Sequence, residues 1–108
     1  MEINMNLKLA LKVHDLDNVA TIFANDVVAG DEVEMHDKKG HSQIIDVLGE
    51  VPYGHKIALQ DILVDEKIIK YGEEIGVATK DIKKGDYVHV HNLDSTRGRG
   101  DLKGEVVL

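Results

Sequence analysis

Val77-Ala78-Thr79-Lys80-Asp81-Ile82-Lys83-Lys84-Gly85-Asp86-Tyr87-Val88 is a pattern the chain uses more than once. It matches Ile57-Ala58-Leu59-Gln60-Asp61-Ile62-Leu63-Val64-Asp65-Glu66-Lys67-Ile68 and Ile22-Phe23-Ala24-Asn25-Asp26-Val27-Val28-Ala29-Gly30-Asp31-Glu32-Val33. Each copy runs through a short apolar stretch, an aspartate, an aliphatic, two variable residues, Gly or Asp, an acid, a variable residue and an aliphatic. Alternating apolar positions on both sides of a Gly/Asp signal predict strand, tight turn, strand. Gly30, Asp65 and Gly85 fall where a turn needs positive φ, which glycine adopts freely and aspartate tolerates. Asp26, Asp61 and Asp81 are expected to accept backbone N–H groups within their own turns. The unequal spacing is no solenoid period, so the three copies predict one interlocked β domain. They also decide Val19 to Ala24, which is locally ambiguous, in favour of a strand.

The rest of the chain agrees. Leu7 to Val13 alternates leucine with lysine or alanine, the period of a strand. Glu32–Asp37 and Gln43–Leu48 flank Lys38-Lys39-Gly40 as a hairpin, and Pro52-Tyr53-Gly54 and Lys70-Tyr71-Gly72 are further turns. Tyr87-Val88-His89-Val90-His91-Asn92 alternates as a strand with Tyr87, His89 and His91 on one face. The expected architecture is all-β, a domain over 1–93 followed by a flexible tail over 94–108.

Composition narrows the function. The 108 residues are 43% hydrophobic but only 4% aromatic, so the core is aliphatic. Absence of cysteine removes disulfides and thiolate chemistry and suits a cytoplasmic protein. A formal charge of −7 argues against nucleic acid, and no apolar run reaches membrane-spanning length. There is no P-loop, dinucleotide fingerprint, nucleophile elbow or zinc-protease helix.

Histidine and lysine carry the remaining chemistry. His89 and His91, two apart on a strand, would point imidazoles the same way, as a metal pair does, although a native site needs a third ligand; two exposed polar residues fit the alternation equally well. His55-Lys56 follows a Pro-x-Gly turn, where scaffolds present polar groups. Lys70-Tyr71 meets a glycine turn, and a lysine there suits a carboxylate. Arg97 and Arg99 could clamp an anion, or belong to an unstructured tail.

Gly54-His55-Lys56, Ile69-Lys70-Tyr71-Gly72 and His89-Val90-His91-Asn92, in this order, resemble the N-terminal domain of altronate and galactarate dehydratases, a SAF-type domain. The resemblance covers nearly all of the chain apart from the hairpin near Glu34–Gly49 and the last residues. It implies a β-clip fold. Because the chain ends at Leu108, it further implies a separate small subunit with a large catalytic dehydratase subunit as partner, the ending Ser95–Leu102 favouring split altronate dehydratases. The reaction implied is loss of water from a sugar acid, assisted by a divalent metal, iron or manganese. The substrate-binding residues would be His55, Lys56, Lys70, Tyr71, Asn92, Arg97 and Arg99, with His89 and His91 toward the metal, and a homo-oligomer is possible. Three alternatives stay open: the small subunit of sulfolactate sulfo-lyase, a non-catalytic SAF module that holds a sugar acid or a partner, and a metal-binding regulatory protein.

Overall fold

A computed structural model of the chain describes residues 8–95. Nine strands follow one another: β1 (Lys8–Leu11), β2 (Val19–Ile22), β3 (Glu32–His36), β4 (Ser42–Asp46), β5 (Lys56–Ala58), β6 (Lys67–Lys70), β7 (Glu73–Ala78), β8 (Tyr87–Val88) and β9 (Leu93–Ser95). None of the described residues is helical, so none forms a helix that could cross a membrane. The strands make a six-stranded sheet ordered β4-β3-β1-β2-β5-β8 and a three-stranded sheet ordered β6-β7-β9. Every pairing is antiparallel except β1 with β3.

Two aliphatic cores follow from this order. One gathers Ala10, Ile22, Val33, Met35, Ile45 and Ile57 under the larger sheet. The other joins Val19, Ala58 and Val88 from the β2-β5-β8 end of that sheet to Ile68 and Ala78 of the smaller one, with Ile62 and Ile82 between. The junction of the sheets is therefore a packed seam, and burial of these branched side chains is its main stabilising term.

The turns are the organising device. Val28–Asp31, Leu63–Glu66 and Lys83–Asp86 each close with a backbone bond from the fourth residue's N–H to the first residue's carbonyl, at 3.1, 2.9 and 2.9 Å. The third residue has φ of 93° (Gly30), 73° (Asp65) and 95° (Gly85), as expected from the sequence and as a type II turn requires. A fourth turn has the same form: His55 N–H donates to the Pro52 carbonyl at 3.1 Å and Gly54 has φ 83°. The aliphatics that precede the turns pair across the molecule, Val27 with Val51 and Ile62 with Ile82.

Three sequence expectations are corrected, and the inward face of β1 is settled. The in-turn acceptors are the acids at the fourth position: Asp31 accepts Val28 N–H, Glu66 accepts Leu63 N–H and Asp86 accepts Lys83 N–H, at 2.7–2.9 Å. Asp61 and Asp81 instead reach into each other's turns, accepting Lys84 N–H and Val64 N–H at 2.9 Å, because the 62–82 bridge sets those turns side by side. The strand at 87–92 stops at Val88, since Asn92 bends the chain, its Oδ1 accepting His89 N–H at 3.0 Å and its Nδ2 donating to the Tyr87 carbonyl at 2.9 Å. In β1 the inward residue is Ala10, fitted between its cross-strand partners Ile22 and Met35, while Leu9 and Leu11 stay more than a third exposed. Asp94 and Ser95, expected in the tail, continue β9 against β7; the rest of that expected tail, with Arg97 and Arg99, lies outside the described residues.

Candidate functional site

The fourth turn departs from its sisters in one respect that bears on function. In the other three, the fourth-position acid ties down the N–H of the first residue. Here the first residue is Pro52, which has no N–H to tie down. Position 55 is thereby released from turn-holding, and it carries an imidazole. The antiparallel register of β5 and β8, Lys56 opposite Val88 and Ile57 opposite Tyr87, when continued by one residue sets His55 across from His89. Their ring centroids are 4.8 Å apart.

Tyr87 is the hub of this cluster. Its hydroxyl is 2.8 Å from His55 Nδ1. Its ring stacks nearly parallel on His89, 5.6 Å between centroids, and lies 5.2 Å from His91. Burial pushes the Tyr87 phenol above its ordinary pKa, so the neutral hydroxyl remains available to orient His55. The turn at 89–92 closes with Asn92 N–H on the His89 carbonyl at 3.0 Å. Asn92 is 5% exposed with both ends of its amide bonded to backbone; it shapes the turn that carries the histidines.

That turn separates two grooves. One, of about 300 Å³, is lined by Lys56, Tyr71, Ile75, His89, Val90, Leu93 and Ser95. The other, of about 390 Å³, is lined by Gly49, Glu50, Lys80, Asp81, Asp86, Tyr87, His91 and Asn92. In the first, Lys56 is half-buried, and that burial, with the nearby positive charge of Lys70, holds its pKa below the usual lysine value. His89 is likewise lowered, by burial first and then by repulsion from His55, Lys56 and His91. Among the described residues that line this groove none is acidic, a setting that suits an anionic group. The Lys70 ammonium stands 4.9 Å over the Tyr71 ring.

The expected residues thus divide. Lys56, Tyr71 and His89 line one groove, with Lys70 over Tyr71 and His55 against His89. His91 lines the other groove, and Arg97 and Arg99 lie outside the described residues. Among the described residues no group of three or more His, Asp or Glu side chains could hold a metal. With His89 and His91 lining different grooves, these residues do not fit the metal that the resemblance implies.

Sequence reasoning missed two features. Tyr87 was grouped with the histidines by alternation but given no role. The turn at Pro52-Tyr53-Gly54 was expected, but not as a fourth copy of the repeat, although Glu50-Val51-Pro52-Tyr53-Gly54-His55-Lys56-Ile57 keeps the spacing of Asp81 to Val88 with Glu for Asp and His for the acid.

A small all-β domain, built on repeated type II turns and presenting a lysine- and histidine-lined groove at the seam of two sheets, is the class that this fold and site define. The sequence family described as altronate/galactarate dehydratase SAF domain matches residues 8–96, and the chain belongs to it. It is 37% identical over 86 residues to an altronate dehydratase of Bacillus subtilis (strain 168), covering 80% of this chain. It is 43% identical over 82 residues to one of Escherichia coli (strain K12), covering 76%. The chain spans only 16% and 15% of the length of those two relatives. It is also 36% identical over 88 residues to the (2R)-sulfolactate sulfo-lyase subunit alpha of Chromohalobacter salexigens, covering 79% of this chain and 93% of that subunit.

Proposed function

We propose that the chain is the small subunit of a sugar-acid hydro-lyase of the altronate dehydratase type, working with a separate large catalytic subunit. The observation that carries this is the groove of Lys56, Tyr71 and His89 beside Lys70, in which a half-buried lysine has no acid among the described lining residues. A carboxylate is the complementary ligand: it favours the charged form of Lys56 and forms a charge-assisted hydrogen bond in a partly desolvated place.

The reaction is β-elimination. A base takes the proton from the carbon next to the carboxylate, and the electron pair forms the double bond as the 3-hydroxyl leaves with a proton as water. The enol that results becomes a 2-keto-3-deoxy acid. Negative charge builds on the carboxylate as the proton departs, so Lys56 contributes more in the transition state than in the ground state. His89, favoured as neutral imidazole by its surroundings, and His55, oriented by Tyr87, add hydrogen-bonding groups to the wall. The large subunit would supply the remaining acid–base groups.

A second reading, the small subunit of a sulfolactate sulfo-lyase, is favoured by the coverage of 93% of that relative's subunit alpha. The test is co-expression with a candidate large subunit and assay on altronate, galactarate and (2R)-sulfolactate. Turnover of a sugar acid, lowered at least about tenfold by Lys56→Ala, is expected. Turnover of sulfolactate alone selects the second reading. Full sugar-acid activity in Lys56→Ala removes the carboxylate role.

A further inference from the structure

Tyr71 occupies a backbone conformation that disfavours it. Strands β6 and β7 are joined by the two-residue loop Tyr71-Gly72, with Lys70 paired to Glu73. Both loop residues have positive φ, 60° and 74°. That is a type I′ hairpin turn, whose first position prefers asparagine, aspartate or glycine. A bulky aromatic there is a genuine outlier, since its Cβ crowds the backbone.

The surroundings hold the turn in place. Asp17, 4% exposed, accepts the Gly72 N–H at 2.8 Å. Asn18 accepts the Ile69 N–H at 2.8 Å and donates to the Lys67 carbonyl at 2.9 Å. The His14 ring lies so near that a Cβ on Gly72 would meet it at 2.9 Å. Strain maintained by this many contacts marks positions where the side chain serves something other than folding. Here the side chain is 59% exposed, so it is not kept for the core. It lines the groove with Lys56 and His89, and it carries the Lys70 ammonium over its ring.

We propose that Tyr71 is a specificity-determining residue, its ring serving as a platform for the C–H groups of an extended polyhydroxy carboxylate whose acid end meets Lys56 and Lys70. This rests on the carboxylate reading of the groove and adds to it a choice of ligand length. A six-carbon diacid covers the ring with its carbon chain while a terminal carboxylate reaches the lysines. A three-carbon acid satisfies the lysines and leaves the ring bare. Aromatic surface beside a charge site favours the longer ligand by contact area, and the ring also steadies Lys70 by cation–π attraction.

The test uses the full chain, titrated calorimetrically with galactarate and with (2R)-sulfolactate, alongside thermal melts. In Tyr71→Asn, which suits the turn, the melting temperature rises by a few degrees, while galactarate binding weakens about tenfold and sulfolactate binding changes much less. Tyr71→Phe keeps galactarate binding, because it keeps the ring. A purely structural tyrosine would instead show stability and binding changing together. If wild type binds galactarate and Lys56→Ala abolishes it but Tyr71→Asn binds equally well, the platform is refuted while the carboxylate reading stands. If wild type binds neither acid, the carboxylate reading falls, and the platform with it.

Discussion

The turns at Leu63–Glu66 and Lys83–Asp86 and the turn at Pro52–His55 share one backbone and do different work. In the first two, every polar feature is spent on the turns themselves: a fourth-position acid holds its own turn, and Asp61 and Asp81 exchange bonds across the bridge. In the third, a proline takes away the N–H that would need an acceptor, and the fourth position presents His55 to Tyr87 at 2.8 Å. The proline thus removes the hydrogen bond that the fourth position satisfies in the other turns, and that position carries an imidazole instead. The backbone closure and the positive-φ glycine remain, so the scaffold is retained while one residue is released.

The largest contrast is expected at the shared glycine. Gly85 is buried, and a Cβ there would meet the Asp46 carbonyl oxygen at 2.0 Å. Gly54 has nothing within 4 Å of the same point. Gly54→Ala should show only the positive-φ penalty, about 1–2 kcal/mol, whereas Gly85→Ala adds a backbone collision and should lose more than about 3 kcal/mol or fail to fold. Urea unfolding of both proteins measures the difference. Equal losses would mean that the two turns do not differ in how tightly the scaffold grips them.

Next come the reciprocal carboxylates. Asp61→Ala and Asp81→Ala each remove one bond to a turn N–H, for an expected loss of about 0.5–1.5 kcal/mol apiece. Because both bonds span the same bridge between Ile62 and Ile82, the double variant should depart from additivity. A double-mutant cycle by chemical denaturation gives the coupling, and strict additivity would show that the turns are held independently.

Much of this contrast was legible in the sequence, and the portion that was not has a physical cause. Gly30, Asp65 and Gly85 were legible as positive-φ positions because few residue types tolerate that conformation. The hairpin of β3 and β4 was legible from its alternation and its Lys-Lys-Gly turn. The partners of Asp61 and Asp81 were not, because a side-chain acceptor can serve its own turn or a neighbouring one, and only the pairing of Ile62 with Ile82 decides. The end of β8 at Val88 was hidden for a similar reason: the alternation continues through His91, while Asn92 captures the backbone of residues 87 and 89 and turns the chain. At the candidate site, His55, Lys56, Lys70, Tyr71 and His89 were singled out by residue type and position. The separation of His89 from His91 depends on that turn and could not be read from period alone.

A smaller effect on stability, but the most direct on the comparison, comes from rebuilding the lock. Pro52→Ala with His55→Asp restores an N–H at the first turn position and an acid at the fourth, the combination found at Lys83 and Asp86. Stability should stay within about 1 kcal/mol of wild type, one net hydrogen bond offsetting the loss of proline's rigidity. The Tyr87 hydroxyl loses its imidazole partner, so activity of the reconstituted enzyme should fall although the fold is intact. Retained activity would show that position 55 carries a turn and nothing more.

The smallest effect is a pH dependence carried by one of the acid-locked turns. Asp31 is held below its ordinary carboxylate pKa, first by the Val28 N–H and then by Lys8, whose ammonium lies 3.3 Å away. A carboxyl group lowered in the folded state adds stability at pH above its unfolded value and loses it as pH falls through the folded one. The contribution of Asp31 is therefore whole at neutral pH and fades on the acid side, below the usual carboxylate range. Asp31→Asn should be less stable at pH 7 and should lose less on acidification, so the two unfolding curves converge as pH falls; Lys8→Ala should move part of the way. Denaturation midpoints of the three proteins between neutral and acid pH decide it, and an acid limb that is the same in wild type and Asp31→Asn would show that this turn is held by its backbone bond and its glycine without help from the carboxylate.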